Sequence, residues 1–213
     1  MILTKLFTPW DEQVNLNMRT MYKGHLQATY RGIKVWKCPM DYLIYQMIIT
    51  QLQPDLVIEV GTFHGGTTLY LANLMDIIGN GVIHSIDIED LCDERVKDHP
   101  RVRLFTNGWE KYDSTAVNGF SKILIIEDSS HTYENTLNVI NKFCDMVTVN
   151  SYFIIEDGIV NELGMNNRFH GGPLKAIREF LRDRNDFIID RSFCDLFGKN
   201  ATFNVNGYLK KIK

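Results

Sequence analysis

Short apolar, β-branched runs alternate along the chain with longer segments whose apolar residues recur at helical spacing. Leu56 to Val60, Val82 to Ile86, Val102 to Phe105, Ile123 to Ile126 and Tyr152 to Ile155 read as five buried strands. Phe187 to Asp190 reads as a sixth, and Thr202 to Ile212, with Gly207-Tyr208-Leu209 inside it, contains a last one. Helical spacing predicts helices over Met40 to Ile49, over Thr67 to Met75 with Thr67 as N-cap, and over Thr132 to Phe143. Pro173 opens a further helix through Leu174, Ile177, Phe180 and Leu181, because proline suits the first helical position. Strands alternating with helices predict an α/β fold, a Rossmann-like doubly wound and mostly parallel sheet.

Residues 1–40 show no clear period and form an N-terminal segment, followed by one Rossmann-like domain over residues 41–213. Trp10, Tyr22, Tyr30 and Trp36 are expected to pack that segment onto the domain. Residues 158–172, with glycines and asparagines, read as a long loop, of the kind that is usually a functional lid or disordered.

Composition narrows the function classes. A 45% hydrophobic content is that of a soluble globular chain, and a net charge of −3 argues against a nucleic-acid-binding surface. Cys38, Cys92, Cys144 and Cys194 are far apart, with no C-x-x-C, which points to free buried thiols in a reducing compartment. No apolar run spans a bilayer and no signal-peptide core follows Met1, so a cytoplasmic protein without membrane partners is expected.

The first strand ends in Gly61-Thr62-Phe63-His64-Gly65-Gly66, a turn that leads into a helix as in nucleotide-binding βαβ units. Its G-x-x-x-G-G spacing is not the G-x-G-x-x-G of dinucleotide sites. Glu59 beside it would repel a pyrophosphate and suit a cationic ligand, such as the amino end of S-adenosylmethionine. Gly61, Thr62, Gly65 and Gly66 are therefore candidate cofactor-binding residues, with His64 touching ligand through its backbone alone. Asp87, ending the second strand, is placed to accept from ribose hydroxyls. Trp109 is a candidate stacking partner for an adenine ring, or else a core or surface tryptophan.

Acids also close the fourth and fifth strands: Asp128, then Glu156 and Asp157. If those strands are neighbours, three carboxylates converge, and mutual repulsion raises their pKa values unless a cation intervenes. Oxygen ligands with open positions suit Mg²⁺, with calcium or manganese as alternatives. Asp128 is a candidate for the metal site, for the cofactor site and for the catalysis. His131, three residues on, is the candidate general base, or else a helix cap. Arg168 and His170 are weaker candidates for touching the acceptor.

Taken in order, Pro54-Asp55, Ile58-Glu59-Val60-Gly61-Thr62, Gly65-Gly66, Asp87, Asp128-Ser129-Ser130-His131, Ile155-Glu156-Asp157, Gly172-Pro173 and Asn206-Gly207-Tyr208-Leu209-Lys210 resemble the cephalosporin hydroxylase / rhamnosyl O-methyltransferase family, from about Trp36 to the C-terminus. The resemblance implies a class I methyltransferase fold with an antiparallel last strand. It also implies S-adenosylmethionine as cofactor and a divalent metal on Asp128, Glu156 and Asp157. A small-molecule or sugar hydroxyl would be the acceptor. Catechol-type relatives carry lysine where this chain has His131. The short N-terminal segment departs from the family, so a homo-oligomer built on family contacts there would be altered. Two rival readings stay open: a nicotinamide-dependent oxidoreductase, and a non-catalytic S-adenosylmethionine-binding module.

Overall fold

The structure, a computed structural model, describes residues 13–213; Trp10 lies outside them. Helix α1 (Met18–His25) begins at Asn17, whose side chain accepts from the Thr20 amide at 3.0 Å. A small antiparallel hairpin follows, β1 (Thr29–Tyr30) and β2 (Ile33–Lys34). The main domain then runs α2 (Pro39–Leu52), β3 (Leu56–Val60), α3 (Gly66–Ile78), β4 (Val82–Ile86), α4 (Glu94–Lys97), β5 (Val102–Phe105) and β6 (Ile123–Glu127). It continues with α5 (Tyr133–Phe143), β7 (Tyr152–Ile155), α6 (Gly172–Arg182), β8 (Phe187–Ile189), α7 (Arg191–Cys194) and β9 (Tyr208–Lys211).

Seven strands form one sheet in the order β5-β4-β3-β6-β7-β9-β8, parallel except for β9. Both faces are covered, so the central strands read as unbroken apolar runs. Successive residues of β3 point to opposite faces. Val57 packs with Ile48, Leu71 and Met75 of α2 and α3, while Leu56 and Ile58 pack with Ile140, Phe143 and Ile177 of α5 and α6. The chain leaves β3 toward β4 and β5, then returns to build β6 on the other side. The carboxyl ends of β3 and β6 therefore flank a topological switch point, where sheets of this kind bind ligands.

Some boundaries differ from the pattern reading. Helix α3 starts at Gly66, with Gly65 as the N-cap at φ +80°, and Thr67 lies buried inside the first turn. The chain must reverse within one residue there, which glycine allows and a capping threonine does not. Residues 158–172 are ordered by local turns. Gly158–Val160 is a short 3₁₀ helix, and the Tyr133 amide donates to the Phe169 carbonyl at 3.0 Å. Tyr30 packs against the core; Tyr22 joins a smaller cluster with Phe203. The four cysteines are free and buried. Among the described residues, no helix is long and apolar enough to cross a membrane.

Glu59 is the acid within β3, and it is 1% exposed. Its Oε2 accepts from the Thr68 hydroxyl and from Ser85 Oγ at 2.7 Å; among the described residues, Oε1 has no partner. Burial pushes its pKa from 4.5 up to about 7, against the lowering effect of those two hydroxyls. A carboxyl raised in this way stabilises the fold at low pH and loses that contribution as pH rises through its folded value. Glu59→Gln, which stays neutral, should flatten this part of the pH dependence. In urea melts at pH 5 and pH 8, the wild type should lose roughly 2.5 kcal/mol more than the variant. Equal losses would contradict the assignment.

Candidate functional site

A cavity of about 830 Å³ opens at the carboxyl ends of the strands, across the switch point. One wall is the turn after β3, with Gly61, Thr62, Phe63 and Gly66, next to Asp87, Ile88 and Trp109. The opposite wall carries Asp128, Ser129, Ser130, His131 and Asp157. The rest of the lining comes from Tyr22 and His25 of α1 and Leu26 after it, from Lys34, Val35 and Trp36, and from Val160, Met165, Arg168 and Phe169.

The glycines of the turn are needed by the protein's own packing. A Cβ on Gly61, at φ +108°, would stand 2.0 Å from the Asp128 carbonyl oxygen; one on Gly66 would stand 2.2 Å from that of Lys34. Gly65 backs onto Cys92 and Val96 and is not part of the cavity wall. These close approaches let β3, β6 and the segment before α2 meet at one point. Glu59 also lies beneath the turn, off the wall, where Thr68 and Ser85 hold it. Thr62 Oγ1 pairs with Ser85 Oγ at 2.7 Å.

Asp87 does reach the cavity. Its Oδ2 accepts from the Phe63 amide at 2.8 Å and its Oδ1 from the Ile88 amide at 2.7 Å, so the carboxylate pins the turn. Oδ1 also takes the Glu89 amide at 3.4 Å, so Oδ2 is the oxygen that keeps a lone pair for a further donor. Trp109 presents its ring to the same side, with Nε1 donating to Asn135 Oδ1 at 3.1 Å.

The acids after β6 and β7 do converge, and a residue outside the pattern reading stands among them. Lys37 is 2% exposed; its Nζ donates to Asp128 Oδ2 at 2.8 Å and to Glu156 Oε1. Tyr45 OH also donates to Glu156 Oε1. Glu156 is thus turned to Lys37, off the cavity wall, and the group close enough to share an ion is Asp128, His131 and Asp157, with donor atoms within 4.8 Å of one another. His131 Nε2 lies 3.3 Å from Asp157 Oδ2 and 3.9 Å from Asp128 Oδ1. One nitrogen therefore stands where the pattern reading has a third carboxylate.

Burial pushes Glu156 up, and Asp128 beside it adds to the effect, while Lys37 and Tyr45 pull the other way. Burial also raises Asp157, opposed by His131. Burial disfavours the Lys37 ammonium, but Asp128 and Glu156 outweigh it and hold the lysine charged. The same contest raises His131 above 6.5, with Asp157, Asp128 and Glu127 outweighing burial.

Arg168 borders the cavity, its guanidinium 5.3 Å from the Phe169 ring centre. His170 faces away, paired with Glu134 at 3.2 Å, and the His64 ring lies 3.2 Å from the Leu91 carbonyl. Pattern reading missed Lys37, Tyr45 and His25. For Lys37 the only signal was a lone lysine among Val35, Trp36 and Cys38.

Removing one partner of a buried ion pair leaves an uncompensated charge. Lys37→Met should therefore lower stability by about 3–5 kcal/mol in thermal melts. An unchanged melting temperature would show that the acids do not depend on the ammonium.

Residues 22–212 match the family model described as rhamnosyl O-methyltransferase/CmcI. A rhamnosyl O-methyltransferase of Mycobacterium tuberculosis (strain H37Rv) is 31% identical over 218 residues, covering 96% of this chain and 88% of its own. Its counterpart in Mycobacterium leprae is 32% identical over 191 residues, covering 85% and 82%. Among solved structures, one described as cmcI-N160 with SAH superposes with a TM-score of 0.70 at 18% identity, covering all of this chain and 92% of its own. Another, cmcI-D160 with Mg-SAM, gives 0.69 at 19%, covering 100% and 85%. At these identities the structures speak to the fold.

Proposed function

The chain belongs to the rhamnosyl O-methyltransferase/CmcI family, and on that premise we propose how its cavity works. The protein is an S-adenosylmethionine-dependent O-methyltransferase acting on a hydroxyl. The observation that carries the site reading is the single cavity, with the β3–α3 turn, Asp87 and Trp109 on one wall and Asp128, His131 and Asp157 on the other.

The residues present fit the donor molecule. The lone pair left on Asp87 Oδ2 suits a ribose hydroxyl, and the Trp109 ring suits the adenine face. The backbone of Gly61 and Thr62 and the edge of Gly66 border the place for the methionine end. Glu59 supports the turn through Thr68 and Ser85 without direct contact, and Gly65 supports it by packing. When bound, the donor supplies an electrophilic methyl group on a sulfonium.

They also fit a divalent cation. Asp128 and Asp157 would be the oxygen donors, and His131 would be the third ligand as the side chains stand. Glu156, the other expected ligand, gives Oε1 to Lys37 and Tyr45 and lies outside that group as the side chains stand. Mg²⁺ suits the oxygens, and the imidazole widens the choice to Mn²⁺. When bound, the ion supplies positive charge that orients and acidifies an acceptor hydroxyl. The Asp128 carbonyl packs against Gly61 of the turn, which fixes the two sites relative to each other, and such positioning contributes to rate. Tyr22, Leu26, Met165, Arg168 and Phe169 border the space left for the acceptor. The relatives' names make a sugar hydroxyl the first class to test.

Calorimetry should show S-adenosylhomocysteine binding with or without Mg²⁺, and no heat from NAD. Binding of NAD alone would return the oxidoreductase reading. Asp87→Ala should weaken S-adenosylhomocysteine at least about tenfold, or ~1.4 kcal/mol. Asp128→Ala should abolish transfer of labelled methyl to a panel of rhamnosides and catechols while leaving that affinity within about threefold. Equal loss of both would put Asp128 in the cofactor pocket alone. No transfer by the wild type to any member would favour the binding-module reading.

A further inference from the structure

The acceptor hydroxyl must lose a proton as it is methylated, and His131 is poorly placed to take it. Its Nε2 faces the carboxylates of Asp157 and Asp128, and its Nδ1 is buried with no partner among the described residues. A second histidine borders the same cavity. His25 closes α1, is 6% exposed, and is wedged against Tyr22 and Phe203, whose rings lie 4.5 and 5.2 Å from its own.

We propose that His25 is the general base of the reaction, its Nε2 receiving the proton of the acceptor hydroxyl. This rests on the methyltransferase reading above and adds the residue that reading lacks.

The tautomer carries the argument. His25 Nδ1 is hydrogen-bonded to the Tyr22 carbonyl oxygen. A carbonyl only accepts, so Nδ1 bears the hydrogen and Nε2 is left with the lone pair. None of the described residues bonds to Nε2. The edge-on contact with Phe203, at 87°, fixes the ring plane. The charged groups that act on the ring are Asp157 after β7, Asp128 after β6 and Lys37 before α2; the phenol of Tyr22 and the Arg168 guanidinium are the nearby groups on α1 and on the 160–169 segment. Burial outweighs the two carboxylates and lowers His25 below 6.5, so the ring is neutral and ready to accept at neutral pH.

The bookkeeping closes without a co-reactant. His25 Nε2 takes the hydroxyl proton as the acceptor oxygen forms its bond to the methyl carbon. The carbon–sulfur pair returns to sulfur, leaving a neutral thioether and a methyl ether. The imidazolium then passes its proton to solvent in the cavity.

The test uses the full chain, ¹⁵N-labelled at histidine, with Mg²⁺, S-adenosylhomocysteine and 4-nitrocatechol as a chromophoric, chelating acceptor mimic. Long-range ¹H–¹⁵N spectra of the protein before the probe is added should show His25 as the neutral Nδ1–H tautomer. Adding the probe near neutral pH should bring up the catecholate absorbance and convert His25 to imidazolium in step. His25→Gln should reduce the catecholate fraction at that pH several-fold and shift its appearance upward by about a pH unit. The variant should keep S-adenosylhomocysteine affinity and helical content, and imidazole should restore the band. An Nε2–H tautomer, or a catecholate band that appears with His25 unchanged and is lost in His131→Gln instead, would overturn the assignment. Absence of any catecholate band in wild type, with S-adenosylhomocysteine still bound, would remove the metal-and-acceptor reading and this inference with it.

Discussion

Four carboxylates, Glu127, Asp128, Glu156 and Asp157, crowd the ends of β6 and β7, and the site depends on how their charge is balanced. Lys37 answers one side of the cluster, bridging Asp128 and Glu156 from a position almost sealed from water. His131 answers the other, between Asp128 and Asp157. Asp128 is common to both pairs, so the two oxygens of one side chain divide the cluster. One half is closed and internally compensated. The other faces the cavity with two carboxylates and one imidazole, a set that still attracts a cation.

The fold makes this crowding unavoidable. Parallel strands deliver their carboxyl ends to one edge, and β6 and β7 are adjacent. The Gly61 backbone is pressed against the Asp128 carbonyl, with no space for a side chain between them. The β3–α3 turn and the acidic cluster are therefore held together, and the distance between them is set by backbone packing. The N-terminal segment completes the unit from outside. It supplies Lys37 beneath the acids and His25 to the cavity lining, so a stretch with no readable period helps to build the cavity.

What could be read from the sequence follows from what each signal encodes. The strand runs from Leu56 to Val60 and from Ile123 onward were legible because burial on both faces leaves few residue types. Asp87, Asp128 and Asp157 were legible because strand order brings their positions together whatever the side chains do. Glu59 and Glu156 were placed at the correct edge, but their side-chain directions were not readable. Whether an acid turns to a cavity or to a buried lysine depends on partners far away in the chain, here Thr68, Ser85, Lys37 and Tyr45. The glycines gave the turn correctly but for a different reason, since they accommodate the protein's own carbonyls and side chains.

The most direct measurement is a crystal grown with S-adenosylhomocysteine and Mn²⁺, with the metal located by its anomalous scattering. The account predicts one strong peak between Asp128, Asp157 and His131, facing the sulfur of the bound nucleoside, with Lys37 still on Glu156. A peak seated on Glu156 in place of the ammonium, or no peak beside an occupied nucleoside site, would contradict it.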